Sequence, residues 1–524
     1  MSLKFRISTL KLTSVSRLWI LYTFFLASFV FFLFFLIKTP MNGDTYTYAY
    51  SIQNLSGANK VHYGYIFIGH LLFSFSKIFS LSPLVTIGLL SVISGTLSII
   101  LFYLVVFKIS KNYVLSFLSA IILLFSGGFW IYSIHGEVYI PQLACILFTI
   151  FFVLEKRAFL ASLFFIISVS ITPSSVLSMP VILLLVYLNK YKRKQILYLF
   201  MTILLLFIIF TVKEFSKIPD IFNFAVYSPK VFFKHFSFFS IFKKIILDMI
   251  QVYGKSFGLL TLAAVFGFFI LYKENRNVFW IMLFMILPFS TYIFNLGLMS
   301  EDHLIFSFLP VSFCASYGLI KLYEYYHKSY FKSYSLIIFL IFLEIWFSYN
   351  FYIYPEKMNS ILLQNTVNNL KTNFESNAVL ISDWTFGTAF WYLTQNETNY
   401  SLLTGRPVKY IQEDCLEQKK CIDRLKQKFW IDIPNILNFL TNEELIDIVI
   451  QNRREIYFAD GKYNSSWLIN FILPERILTD RNDQKKRFSR FSKFLEDTLK
   501  VKIKVVNIFD YPSRTVYLLE IDSV

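Results

Sequence analysis

Charge is scarce in this chain. Asp, Glu, Lys and Arg make up only 16% of its 524 residues, against 56% hydrophobic, and the mean hydropathy is +0.57. That balance excludes an ordinary soluble globular protein. Cysteine is scarce too, with four in all. Cys145 and Cys314 fall in apolar stretches and read as small core residues. Cys415 and Cys421 lie in a polar C-terminal part, at a spacing that fits no common metal motif. Whether those two are bridged across the intervening LEQKK stays open in the sequence. The net charge of +17 comes without zinc-finger spacing, a basic zipper or an RNA-binding signature, so no nucleic-acid partner is expected. Positive-inside bias and attraction to anionic membrane lipid account for it instead.

What is present in abundance is apolar sequence, including 62 Phe, which fills lipid-facing and core positions. Runs of membrane-spanning length recur at 18–37, 84–107, 113–131, 138–154, 158–171, 174–189, 196–212, 256–272, 277–294, 303–320 and 334–354. The first follows Lys4, Arg6, Lys11 and Arg17, and no small-x-small cleavage site comes after it. It reads as an uncleaved span with a cytoplasmic N-terminus.

A further apolar stretch, GYIFIGHLLFSFSKIF at 64–79, reaches only about 24 Å as a helix, short of a hydrocarbon core of about 30 Å. Loop charge decides its placement. If it does not span, Lys108, Lys111, Lys156, Arg157, Lys190, Lys192, Arg193, Lys194, Lys273, Arg276, Lys321, Lys328 and Lys332 all fall on one side. The loops 132–137, 172–173 and 295–302 of the other side then hold no Lys or Arg. If it does span, the bias inverts. The expectation is a helix lying flat at the outer surface beside about eleven true spans. The loop 213–255 would also be outer, yet it carries seven lysines from Lys213 to Lys255. It fits either a solvated amphipathic hairpin or a cradle for lipid phosphate.

After Tyr354 the composition turns globular. NAVLISD (377–383) and REIYFAD (454–460) read as strands, TFGTAFWYL (385–393) and LIDIVIQN (445–452) as helices. KVKIKVVNIF (500–509) and RTVYLLEID (514–522) read as a closing strand pair. The fold class expected is thus a polytopic α-helical membrane module over residues 1–354, followed by a soluble, extracytoplasmic α/β domain over 355–524.

Four features converge on the outer face. Asp44 opens a helix over about 44–56 whose Tyr48, Ile52 and Leu55 share one face. KVHYGY (60–65) brings His62 and Tyr65, HGEVY (135–139) brings His135, Glu137 and Tyr139, and SEDHL (300–304) brings Glu301, Asp302 and His303. Each has a plainer alternative. Asp44 also suits a helix N-cap, the histidines suit an interface, and Glu301 and Asp302 suit a solvated loop. Glu137 resists the plain reading, because a carboxylate beside apolar sequence is expensive there.

These motifs resemble those of the GT-C glycosyltransferases, membrane enzymes that take sugar from a polyprenyl phosphate. The nearest branch is the protein O-mannosyltransferase-like proteins, which carry G-D-[ST]-G-E, H-P-P-G-Y-P and A-E-V-[YF] in that order. The counterparts are GDTYT (43–47), HYGY (62–65) and GEVY (136–139). Thr47 stands where the family has Glu, the paired prolines before Gly64 are missing, and the His is displaced by one position. The sugar and the acceptor therefore stay open.

The resemblance implies an inverting transfer from a polyprenyl-phosphate sugar to a protein Ser/Thr or glycan hydroxyl, mannose-like in its sugar. Asp44 would be the base, made more basic by partial burial, and Glu137 would orient the acceptor. Asp44 and Glu137 are also the candidate ligands for a divalent metal. His62, Tyr65, His135, Tyr139, Glu301, Asp302 and His303 are candidate substrate contacts. The location implied is a bacterial inner membrane. Two alternatives remain: an O-antigen ligase or polymerase using the same kind of donor, and a lipid-linked sugar flippase. A flippase would more often set its ionisable residues inside spans, and no inverted repeat is visible here.

Overall fold

A computed structural model describes residues 14–40, 43–55, 62–192, 238–290, 304–325, 330–373, 379–382, 389, 392–393, 399–401, 456–461, 502–511 and 514–522. The chain divides into two compact units. One comprises Met1–Ile37, Val61–Leu81 and Val85–Pro355; the other comprises Lys38–Lys60, Ser82–Leu84 and Glu356–Val524.

The first unit is helical. Its helices are α1 (Ser14–Phe35), α3 (Tyr63–Ser76), α4 (Pro83–Ser110), α5 (Tyr113–Phe125), α6 (Gly127–Ile134), α7 (Tyr139–Leu154), α8 (Ala158–Ile171) and α9 (Met179–Leu188). After residue 237 come α10 (Phe238–Phe257), α11 (Leu260–Glu274), α12 (Arg276–Ser290), α13 (Phe308–Tyr325) and α14 (Tyr330–Ser348), which runs into a π turn over Tyr349–Ile353. Among the described residues, three helices are long and apolar enough to cross a membrane, or up to five if two bent pairs count as one span each. Five shorter apolar helices accompany them. The run 113–131 is not one straight helix: it bends by 65° between α5 and α6. The run 256–272 starts at a break of 115° between 249–257 and α11. Residues 196–212 lie outside the described residues.

Two devices hold this unit together. The first is aromatic packing, which the abundance of Phe supplies. The Trp130 ring sits 4.6 Å from Phe31, 5.1 Å from Phe35 and 6.1 Å from Phe125, centroid to centroid. The second is close backbone approach. A side chain on Gly267 of α11 would run into the Cys314 carbonyl of α13, and one on Gly318 into the Ala263 carbonyl. Small residues at a helix crossing let the backbones meet, which substitutes for hydrophobic drive in lipid.

Helix ends pair consistently within the unit. Lys108 at the end of α4 forms an ion pair with Glu155 just before α8. Tyr191, after α9, donates to the Val153 carbonyl at 2.7 Å. These ends share one side. On the opposite side, His62 before α3 bonds Ile171 at the end of α8. At the other end of α3, the Ser76 and Thr86 hydroxyls meet at 2.7 Å in the first turns of α4. Both ends of α3 therefore lie at the same side of the helices, and α3 does not cross the unit. Its Phe67, Leu71 and Phe75, spaced by four, are exposed, while Gly64 packs on Ser170 of α8.

The second unit holds α2 (Gly43–Asn54), α15 (Tyr354–Asn373) and a five-stranded mixed sheet. Its strands are β1 (Val379–Ser382), β2 (Asn399–Ser401), β3 (Ile456–Gly461), β4 (Lys502–Tyr511) and β5 (Arg514–Asp522), in the order β2-β1-β3-β5-β4. β1 runs parallel to β2 and β3, while β5 is antiparallel to β3 and β4. The β4–β5 register shifts between Val505 and Asn507. Most of 385–393, the stretch 445–452, and Cys415 and Cys421 lie outside the described residues.

Candidate active site

In the second unit, Asp44 stands in the first turn of α2, where a carboxylate suits the positive end of the helix. It is exposed, so the partial burial expected of it is absent. The rest of α2 is not the one-sided surface helix the sequence suggested. Thr45, Tyr46, Thr47, Tyr48, Ala49, Ser51 and Ile52 are all buried. Leu55, expected on the buried face, is exposed and ends the helix with φ 48°. The physical reason is that small and hydroxylated residues let both sides of α2 be packed.

The approach to α2 is pinned as well. The hydroxyls of Thr39 and Ser360 meet at 2.6 Å, and both residues are buried. Tyr46 packs its ring 5.8 Å from Tyr392. Burial drives the Tyr46 phenol to stay protonated, with smaller contributions from Glu356 and Tyr392. Asp44 is thus an exposed residue carried on a well-packed helix.

In the first unit, Glu137 is 2% exposed, in the turn between α6 and α7. Its backbone N–H donates to Ser91 Oγ at 3.3 Å, and Ser91 Oγ donates back to its carbonyl at 3.4 Å. Tyr65, fully buried, is kept protonated first by burial and then by the charge of Glu137, so the two belong to one electrostatic site. His135, two residues before Glu137, is buried with its ring 6.3 Å from Tyr132. Tyr139 is half-buried in the first turn of α7.

His62 sits at the entry to α3, its Nδ1 donating to the Ile171 carbonyl at 2.9 Å and lying 3.4 Å from Thr172 Oγ1. Burial lowers its pKa, and the backbone bond partly offsets that. A neutral ring is a hydrogen-bonding group and not a fixed cation.

The sequence reading missed Ser91 and Gln142. Gln142 Nε2 donates to Ser174 at 2.9 Å and Ser175 at 3.0 Å, tying α7 to the segment after α8. A lone amide in an apolar span was the available signal for Gln142; a serine such as Ser91 gives none. Glu301, Asp302 and His303 lie outside the described residues. Among the described residues no group of three or more His, Cys, Asp or Glu could hold a metal ion.

No family model and no curated protein matches the chain. Solved structures do. ArnT from Cupriavidus metallidurans bound to undecaprenyl phosphate matches with a TM-score of 0.52 at 8% identity, covering 97% of this chain and 98% of that one. Its apo state gives 0.53 at 9% identity, covering 96% and 98%. The fold is that of ArnT. An oligosaccharyltransferase, AglB from Archaeoglobus fulgidus in complex with an inhibitory peptide and a dolichol-phosphate, matches at 0.48 and 11% identity, over 86% of this chain and 70% of its own. At 8–9% identity these likenesses show a shared fold and nothing finer. The O-mannosyltransferase-like branch is not what these likenesses show.

Proposed function

We propose that this chain is an integral membrane glycosyltransferase that moves a sugar from a polyprenyl-phosphate donor to a hydroxyl acceptor, with inversion. The observation that carries the reading is the ArnT-like fold over nearly the full length of both chains. The ArnT structure is one bound to undecaprenyl phosphate. The acceptor is a protein Ser/Thr or a glycan, and the sugar is mannose-like, both from the motif resemblance.

Asp44 acts as the base. Phosphate leaves well, so the harder step is to take a proton from the acceptor hydroxyl, which a held carboxylate can do. Asp44 is exposed in the first turn of a packed helix, where an acceptor hydroxyl can reach it. Glu137 and Tyr65 orient substrate, with His62, His135 and Tyr139 as further contacts. Lys255, from the lysine-rich loop, lies over the Tyr352 ring at 4.7 Å and contacts the donor phosphate. The Lys108–Glu155 side is cytoplasmic and α3 is outer, a reading that the segregation of loop charge supports. The setting is a bacterial inner membrane.

A flippase is the second reading, and one observation favours it: Glu344 is buried inside α14. Mass spectrometry of glycans from a deletion strain separates the two. The transferase reading expects one glycan class to vanish and to return with the wild-type gene but not with Asp44→Asn. Equal rescue by both genes would remove Asp44 as the base, and an unchanged glycan profile in the deletion strain would sink the transferase reading.

A further inference from the structure

Glu344 lies in an apolar span and is 3% exposed. Ser348 Oγ donates to its Oε1 at 3.3 Å. Its Oε2 faces Gly258, standing 3.3 Å from where a Cβ on that glycine would be. Gly258 is the residue of the break between α10 and α11, and its φ of 49° is left-handed. The carboxyl therefore fills the notch that a missing side chain leaves at this 115° bend.

Ser348 lies one turn on from Glu344 at the end of α14, and Tyr352 follows in the π turn. Tyr352 OH is 3.0 Å from Ser256 Oγ, and its ring carries Lys255 Nζ at 4.7 Å. Gly127 of α6 has no side chain where the Tyr352 ring passes, so that ring is held from behind. Lys255 and Ser256 precede Gly258 by only three and two residues. Their placement thus depends on how the break is set.

We propose that Glu344 is a positioning residue: seated against Gly258, it fixes the α10–α11 break and through it the placement of Lys255 and Ser256 on Tyr352. The geometric part stands alone; its consequence for donor phosphate rests on the transferase reading. Glu344 does not touch the phosphate and is not a catalytic residue.

The test uses full-length protein in nanodiscs and two readouts. Labelling of Lys255 by an amine-reactive ester, read by mass spectrometry, reports its placement without reference to activity. Binding of undecaprenyl phosphate reports the consequence. Glu344→Leu should speed Lys255 labelling about fivefold, the loss of one desolvated ring contact, and weaken lipid binding by a similar factor. Glu344→Gln, which keeps shape and the Ser348 bond, should behave as wild type. Gly258→Ala crowds the notch from the other side and should reproduce Glu344→Leu, which keeps the test open if the leucine variant folds poorly. Unchanged labelling in both Glu344→Leu and Gly258→Ala overturns the proposal. So does a Gln variant as defective as the Leu one, because charge and not fit would then matter. Faster labelling with unchanged lipid binding supports the brace and overturns the phosphate role of Lys255 instead.

Discussion

Asp44 is exposed at the head of a helix whose Thr45–Ala49, Ser51 and Ile52 are buried. Glu137 is the reverse: a carboxylate closed in a turn between two apolar helices, with its own backbone bonded to Ser91. The two acids belong to different units of the chain. An exposed acid on a fixed helix can meet a substrate and exchange a proton with little rearrangement. A buried one is held in place by what surrounds it, and changing it disturbs those surroundings. The difference teaches that two acids read as a pair from sequence can be built for different tasks.

The sharpest way to break this comparison is Asp44→Asn. A lost base should lower transfer by about 10²–10⁴-fold with no loss of folding, read by turnover and thermal melting of the purified variant. Asn suits a helix start nearly as well, so a mild effect would return Asp44 to a structural role. Glu137→Gln comes next. It should slow transfer by about 10-fold, at the low end for a positioning group, and it should leave the Ser91 bonds intact. Equal rate and melting temperature would remove Glu137 from the site.

Ser91→Ala sharpens the Glu137 side. It should cost about 1 kcal/mol, seen as a lower unfolding midpoint, because it strands a buried backbone N–H. His62 offers a smaller, pH-dependent effect. Its pKa is lowered in the folded state, so the unfolded state binds the proton more readily. Its contribution is intact above pH 6.5, the ordinary histidine value, and is lost as pH falls through that value. His62→Gln should remove that part of the acid sensitivity from melting curves between pH 7 and 5.5, the window named by the histidine pKa of about 6.5. The smallest change is Tyr46→Phe on the Asp44 side. The Tyr46 hydroxyl is buried and has no hydrogen-bond partner among the described residues. Its removal should be neutral or stabilising by up to about 1 kcal/mol, and a drop in stability larger than that would reveal a partner for it.

Much of this site was legible because its residues break a local pattern. An Asp directly after an apolar run and a Glu between two of them are visible without coordinates. Glu344 broke the pattern just as plainly, inside 334–354, and was passed over because it lies in no recognisable motif. Ser91 could not be singled out, since serines are common in these helices and only a long-range contact distinguishes this one.

The sequence by itself determined the apolar helices, the strands at 379–382, 456–461, 502–511 and 514–522, and the segregation of charge among loops. These follow from hydropathy and periodicity, which are properties of neighbouring residues. Only the tertiary structure decided that α2 is packed on both sides, and that α3 begins and ends at one side of its unit. It alone decided that a span is broken at Gly258 against Glu344. Those features depend on residues tens to hundreds of positions apart meeting in space, and no local pattern encodes which ones meet.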